Sequence, residues 1–100
     1  MTLREVLEAA AAGLDTVETV STDEGVEWRH AGRVFAVAGT DAAEFRLDPL
    51  VVKAALRTPG TAPSERGPDW VAFAPVDLEG PALDRATAWL ASGRRRAESS

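Results

Sequence analysis

Basic side chains that could hold phosphate groups recur through the middle of the sequence. They fall on a predicted hairpin, on the strand after it and on the helix that follows, and they are Arg29, Arg33, Arg46, Lys53 and Arg57. Cationic groups that converge on one surface bind the phosphates of a nucleic-acid backbone. The other interpretation is ordinary surface charge, offset by the nearby carboxylates of Glu27, Glu44 and Asp48.

The residue types that catalysis requires are largely missing. The chain has no cysteine, and none of its serines lies in a Gly-x-Ser-x-Gly turn. Phosphate-binding glycine loops of the common types are also absent. The one histidine, His30, lies in a predicted turn beside Ala31-Gly32. A general base or a metal site would need an acid or a second ligand next to it. We therefore expect a protein that is not an enzyme and has no cofactor.

Acidic residues are concentrated in the first half of the chain. The net charge is −5, and residues 1–50 hold 4 Arg against 10 Asp and Glu, whereas residues 51–100 hold 7 Lys and Arg against 6 Asp and Glu. Nucleic-acid binders are usually basic, so this balance argues against strong non-specific DNA affinity. The acidic half is interpreted as a solvated surface, with binding of a hard cation as the alternative.

The three tryptophans are expected to pack in or near the core. Trp28 and Trp70 fall on predicted strands and Trp89 on the last predicted helix. Stacking on exposed bases would require them to face solvent. An exposed apolar patch, or a deep pocket, near Trp70 and Phe73 would instead favour an interaction module.

Hydrophobic periodicity predicts three helices and five strands. Thr2-Leu3-Arg4-Glu5 fits a capping box, and Asp48-Pro49 is a strong helix start. The predicted helices cover about residues 3–13 and 49–57 and a segment that begins at Gly80-Pro81. The predicted strands lie near residues 16–21, 26–30, 33–38, 44–47 and 70–76. Residues 58–69 are predicted to be mostly loop, since they hold three prolines and two glycines.

This order of elements predicts one α+β domain over residues 1–93. It would be a two-layer sandwich of an antiparallel sheet of about five strands with flanking helices. Gly93 is predicted to weaken the last helix, and residues 94–100 to form a basic, frayed tail. No stretch approaches the roughly 18–20 apolar residues of a membrane-spanning helix. The first residues lack the pattern of a signal peptide, so we expect a cytoplasmic protein.

Several segments occur in an order that resembles a known family. They are Gly32-Arg33-Val34-Phe35-Ala36, the junction Phe45-Arg46-Leu47-Asp48-Pro49, Leu56 followed by Pro59-Gly60, the loop into Trp70, and a C-terminal helix with Ser92 near its end. In this order and spacing, the chain resembles the MmcQ/YjbR-like family of small bacterial proteins over about residues 3–93.

The resemblance implies a CyaY-like sandwich that binds double-stranded DNA through a double wing of β-elements. Arg33 and Arg46 match basic positions of the family pattern, and Arg66 falls in its loop before the tryptophan. Under this hypothesis Arg29, Arg33, Arg46 and Arg66 hold phosphates. The alternative is a module that binds a protein or a small ligand on a sheet face. A third and weaker alternative is an acidic metal binder.

Overall fold

The computed structural model describes residues 2–99, which form three helices and six strands. The helices are α1 (Leu3–Ala12), α2 (Pro49–Ala55) and α3 (Gly80–Ser99). The strands are β1 (Glu18–Thr22), β2 (Gly25–His30), β3 (Arg33–Ala38), β4 (Ala43–Arg46), β5 (Thr61–Pro63) and β6 (Trp70–Phe73). The predicted α+β class is confirmed.

The six strands form one antiparallel sheet in the order β1-β2-β3-β4-β6-β5. The first four strands are neighbours both in the chain and in the sheet. The chain then leaves through α2 and returns as β5, at the far edge, before β6 fills the place beside β4. The sheet has six strands instead of about five because β5 lies within the segment predicted to be mostly loop.

Both predicted helix starts are confirmed in detail. Thr2 Oγ1 accepts a hydrogen bond from the Glu5 amide, and Glu5 Oε1 accepts one from the Thr2 amide. The Asp48 carboxylate accepts a hydrogen bond of 3.0 Å from the Leu50 amide, with Pro49 in the first turn of α2. These contacts satisfy amide donors that a helix N-terminus otherwise leaves unpaired.

The core lies between one face of the sheet and the helices α1 and α3. Strand register places Trp28, Ala36, Phe45 and Val71 in one row on this face, and all four are buried. Trp89 of α3 packs against Phe73, which lies on the same face in another row. The two ring centres are 5.0 Å apart and the ring planes are nearly perpendicular. Edge-to-face packing of this kind adds to the stabilisation from apolar burial.

Helix α3 continues past Gly93, so the predicted helix end and the frayed tail are wrong for residues 94–99. Gly93 is buried, and a Cβ atom there would lie 3.1 Å from the carbonyl oxygens of both Phe35 and Arg46. The glycine therefore allows α3 to approach the sheet backbone closely. Ala97 is fully buried one turn later. Ser100 lies outside the described residues.

No helix within residues 2–99 is both long enough and apolar enough to cross a membrane.

Candidate functional site

The sheet face opposite α1 and α3 carries one row of side chains that crosses all six strands. Cross-strand pairing aligns these residues in the order Val20, Glu27, Val37, Glu44, Ala72 and Ala62. Successive residues of a strand point to opposite faces, so this row faces away from the core. We call this surface the open face.

The open face forms a groove of about 560 Å³. Its floor includes Val37, Ala72 and Ala62, whose side chains are small or compact. The β1–β2 turn around Asp23 closes the groove at one end, and Arg66, in the segment between β5 and β6, lies beside its middle. Sites for small molecules usually measure roughly 300–1,000 Å³ and have a mostly apolar lining with a few charged groups. The groove matches this description.

Four carboxylates and one guanidinium line the groove. Glu27 is paired with Arg29 at 2.7 Å, and Glu44 is paired with Arg66 at 3.2 Å. Ser64 also donates a hydrogen bond to Glu44. The other two carboxylates, Asp23 and Glu24, lie in the β1–β2 turn and make no ion pair within residues 2–99. Uncompensated negative charge is therefore concentrated at one end of the groove.

Trp70 lies on the open face, partly covered by Arg66, whereas Trp28 and Trp89 belong to the core. The guanidinium carbon of Arg66 is 5.5 Å from the centre of the Trp70 ring. A cation at this distance is attracted to the face of the ring. Trp28 and Trp89 are buried as predicted, and Phe73 is buried below the groove. Phe73 lines the groove, whereas Trp70 does not.

The structure gives each of the four predicted DNA-contacting arginines a partner. Arg29 and Arg66 lie on the open face, in the ion pairs with Glu27 and Glu44. Arg33 donates to the carbonyl oxygen of Ala97 at 3.1 Å, at the C-terminal end of α3. Arg46 is paired directly with Trp70 across β4 and β6, so it also starts on the open face, and its guanidinium donates to Asp69 at 2.8 Å. Each of the four guanidiniums is therefore engaged by a carboxylate or by a carbonyl oxygen.

Asp69 is shared by two guanidinium groups. Arg46 Nε lies 2.8 Å and Arg96 Nη2 lies 3.6 Å from the same carboxylate oxygen. Burial raises the pKa of Asp69. The hydrogen bond from Arg46 and the positive charges of Arg46 and Arg96 lower this pKa by more, so that it lies below its ordinary value. One carboxylate thus contacts two guanidinium groups.

The shifted pKa of Asp69 predicts a change of stability with pH. A carboxyl whose pKa is lower in the folded than in the unfolded state stabilises the fold above its unfolded pKa. This contribution is lost as the pH falls through the folded pKa. Asp69→Asn should lower the free energy of unfolding by about 1 kcal/mol at pH 7, the size typical of a partly exposed ion pair. Urea unfolding should show that the difference in free energy of unfolding between this variant and the unmodified protein disappears between about pH 5 and 2. A difference that stays constant with pH would contradict the prediction. Asp84→Asn serves as the charge-matched control.

His30 joins the end of β2 to the loop before β1. Its Nδ1 atom lies 3.0 Å from the carbonyl oxygen of Thr16, and Arg94 donates to Asp15 and Thr16 in the same loop at 2.9 Å. The side chain of His30, beside the predicted turn, therefore connects β2 to the loop before β1. Within residues 2–99, no three His, Asp or Glu side chains approach one another closely enough to hold a metal ion.

The groove is the feature that reasoning from the sequence missed. Its floor residues come from four strands, β3, β4, β6 and β5, and only the strand register brings them into one row. The alternation along the last strand predicted only that Trp70, Ala72, Ala74 and Val76 share one face. That signal did not indicate that the neighbouring strands complete a concave surface.

These features define a small α+β protein with one sheet face covered by helices and the other open as a groove. No protein-family model, curated protein or solved structure matches the chain. Membership of the MmcQ/YjbR-like family stays a prediction.

Proposed function

We propose that this protein is a nonenzymatic binding module whose ligand occupies the groove on the open face. The observation that carries the proposal is the groove itself, a concavity of about 560 Å³ with apolar floor residues and charged groups on its rim. Burial of apolar surface supplies most of the driving force for binding, while a few charged groups fix orientation.

The centre of the groove is suited to an apolar group. Val37 lies on the open face, yet only 9% of it is exposed, and it stands between Glu27 and Glu44 in the cross-strand row. Both flanking carboxylates form ion pairs, Glu27 with Arg29 and Glu44 with Arg66. An apolar group seated over Val37 and Ala72 therefore displaces water from apolar atoms without breaking either ion pair.

Ala72→Phe tests the proposal by filling the floor of the groove. We expect apolar fragments titrated into the ¹⁵N-labelled protein to shift amide resonances of Val37, Glu44 and Ala72. The variant should weaken this binding about tenfold or more, because the phenyl ring occupies the space over the apolar floor. Ala88→Phe places the same ring on the exposed side of α3 and should leave binding unchanged. The proposal fails if no fragment shifts the groove resonances, or if Ala72→Phe binds as the unmodified protein does.

Binding of double-stranded DNA is a second candidate, favoured by the arginines that lie close together around Asp69. Arg46 and Arg96 share this carboxylate, and Arg33 contacts the residue that follows Arg96. Phosphates of a duplex would bind to these guanidinium groups. In this candidate Arg29 and Arg66 would contact phosphates only by exchanging their partners Glu27 and Glu44.

Fluorescence anisotropy with a labelled duplex at about 50 and 200 mM salt tests this second candidate. Affinity should fall steeply with salt, because each phosphate contact releases counterions. The double variant Arg33→Glu/Arg46→Glu should weaken binding and reduce the slope of log K against log salt by about 2. Arg85→Glu, an exposed site elsewhere on α3, is the control for net charge. Absence of binding at the lower salt, or an unchanged slope, would remove DNA binding as a function.

A further inference from the structure

Charge is distributed unevenly along the groove. At one end Asp23 and Glu24 lie in the β1–β2 turn, exposed and without an ion pair within residues 2–99. Arg66 lies beside the middle of the row, where it binds Glu44 and covers part of Trp70. Glu27 and Glu44 are both paired with arginines, so the groove carboxylates without an ion pair are those of the β1–β2 turn.

The apolar floor runs from that acidic end toward β5. Val37 on β3, Ala72 on β6 and Ala62 on β5 follow one another across the sheet, with Glu44 between the first two. Neighbouring strands are about 4.8 Å apart, so the path from β2 to β5 covers about 19 Å. Glu44 does not block this path, because Ser64 and Arg66 hold its carboxylate.

An elongated groove with one acidic end selects a ligand with matching polarity. We propose that the ligand of the open face is a small organic cation with an apolar body. Its ammonium or guanidinium group lies beside Asp23 and Glu24, and its apolar body lies over Val37, Ala72 and Ala62. This assignment rests on the proposed function, because it names the chemistry of the ligand that the groove holds.

Charge complementarity gives a selectivity of moderate size. The rim carboxylates are exposed, so salt and water screen their attraction for a cation. We expect a cationic ligand to bind about five- to tenfold more tightly than a neutral ligand of the same shape at 50 mM salt, and the preference to shrink at 500 mM salt.

The test uses three probes with nearly the same apolar body: 2-phenylethylamine, 2-phenylethanol and 3-phenylpropanoate. Each is titrated into the ¹⁵N-labelled protein at both salt concentrations, and dissociation constants are taken from the shifts of the Val37, Glu44 and Ala72 amides. The amine should bind most tightly, the alcohol less tightly and the carboxylate least. Shifts of the Asp23 and Glu24 amides should be larger with the amine than with the alcohol.

Removal of the rim charges identifies their contribution. Asp23→Asn/Glu24→Gln should reduce the preference for the amine over the alcohol to less than about twofold and leave the affinity for the alcohol unchanged. Asp15→Asn/Asp84→Asn removes the same charge from exposed positions outside the groove and should keep the full preference.

The outcomes separate this assignment from the proposed function. If all three probes bind the groove with equal affinity, or the rim variant retains the preference, the cationic ligand is excluded and the groove remains a binding site. If none of the probes shifts the groove resonances, while other apolar fragments do so, the assignment fails alone. If no fragment of any kind binds there, both fail.

Discussion

Gly25→Ala should lower the free energy of unfolding by at least about 3 kcal/mol, a large fraction of the roughly 5–15 kcal/mol by which a native domain is stable. Gly25 begins β2 with a φ angle of +149°, in a region that L-residues rarely adopt. A Cβ atom there would lie 2.0 Å from the carbonyl oxygen of Ala38, far inside van der Waals contact. Relief of this overlap requires the β1–β2 turn to move away from β3.

Gly32→Ala separates the strain of the backbone from the steric overlap. Gly32 also has a positive φ angle, +79°, but a Cβ atom there would meet no other atom within 4 Å. This variant should cost about 1 kcal/mol, the penalty for placing an L-residue in the left-handed region. Urea unfolding followed by circular dichroism measures both variants. Equal losses for Gly25→Ala and Gly32→Ala would show that the β1–β2 turn does not approach β3 as described.

Phe73→Ala should lower the free energy of unfolding by about 3–5 kcal/mol, the range for removal of a buried aromatic ring. Phe73 is 1% exposed, lies on the core face of β6 and contacts the edge of Trp89. It also lies directly beneath the groove. The loss combines the transfer of the ring to water in the unfolded state with the cavity that remains in the folded state.

Phe73→Leu is the matched control, since it keeps most of the apolar volume and removes the ring. It should cost about 1–1.5 kcal/mol, which includes the lost edge-to-face contact with Trp89. Urea unfolding monitored by tryptophan fluorescence and by circular dichroism gives both values. A loss below about 2 kcal/mol for Phe73→Ala would contradict its place in the core.

Local sequence signals predicted the elements that local chemistry determines. The Ala31-Gly32 turn separates β2 from β3, and the predicted range 33–38 agrees with Arg33–Ala38. Asp48-Pro49 predicted the start of α2, because a capping carboxylate and a proline are both favoured there. Both signals act over a few residues and do not depend on the rest of the fold.

The errors arose where distant parts of the chain decide the structure. Thr61–Pro63 is a strand because it pairs with β6, although Pro63 and the surrounding glycines indicate a loop. Gly93 normally weakens a helix by about 1 kcal/mol. Here it lets α3 lie close to the carbonyl groups of Phe35 and Arg46, where a Cβ atom would be in tight contact with both oxygens.

The candidate site shows the same limit. The sequence identified Arg29 and Arg66 as charged groups of interest, and the structure places both on the open face. The sequence also offered Glu27 and Glu44 as carboxylates that offset this charge. The Glu27–Arg29 pair is local, since both residues lie on the same face of β2, whereas the Glu44–Arg66 pair depends on the loop before β6. The apolar floor between these pairs is a property of the assembled sheet.

The close contact of α3 with the sheet at Gly93 fixes how the helix is rotated about its own axis. Consecutive helical residues are about 100° apart, so Arg94, Arg95 and Arg96 must point in three directions. Arg94 reaches the loop at Asp15, Arg96 reaches Asp69, and Arg95 is exposed between them. Three adjacent arginines in the sequence therefore surround the helix, and a partner that approaches from one side encounters only part of their charge.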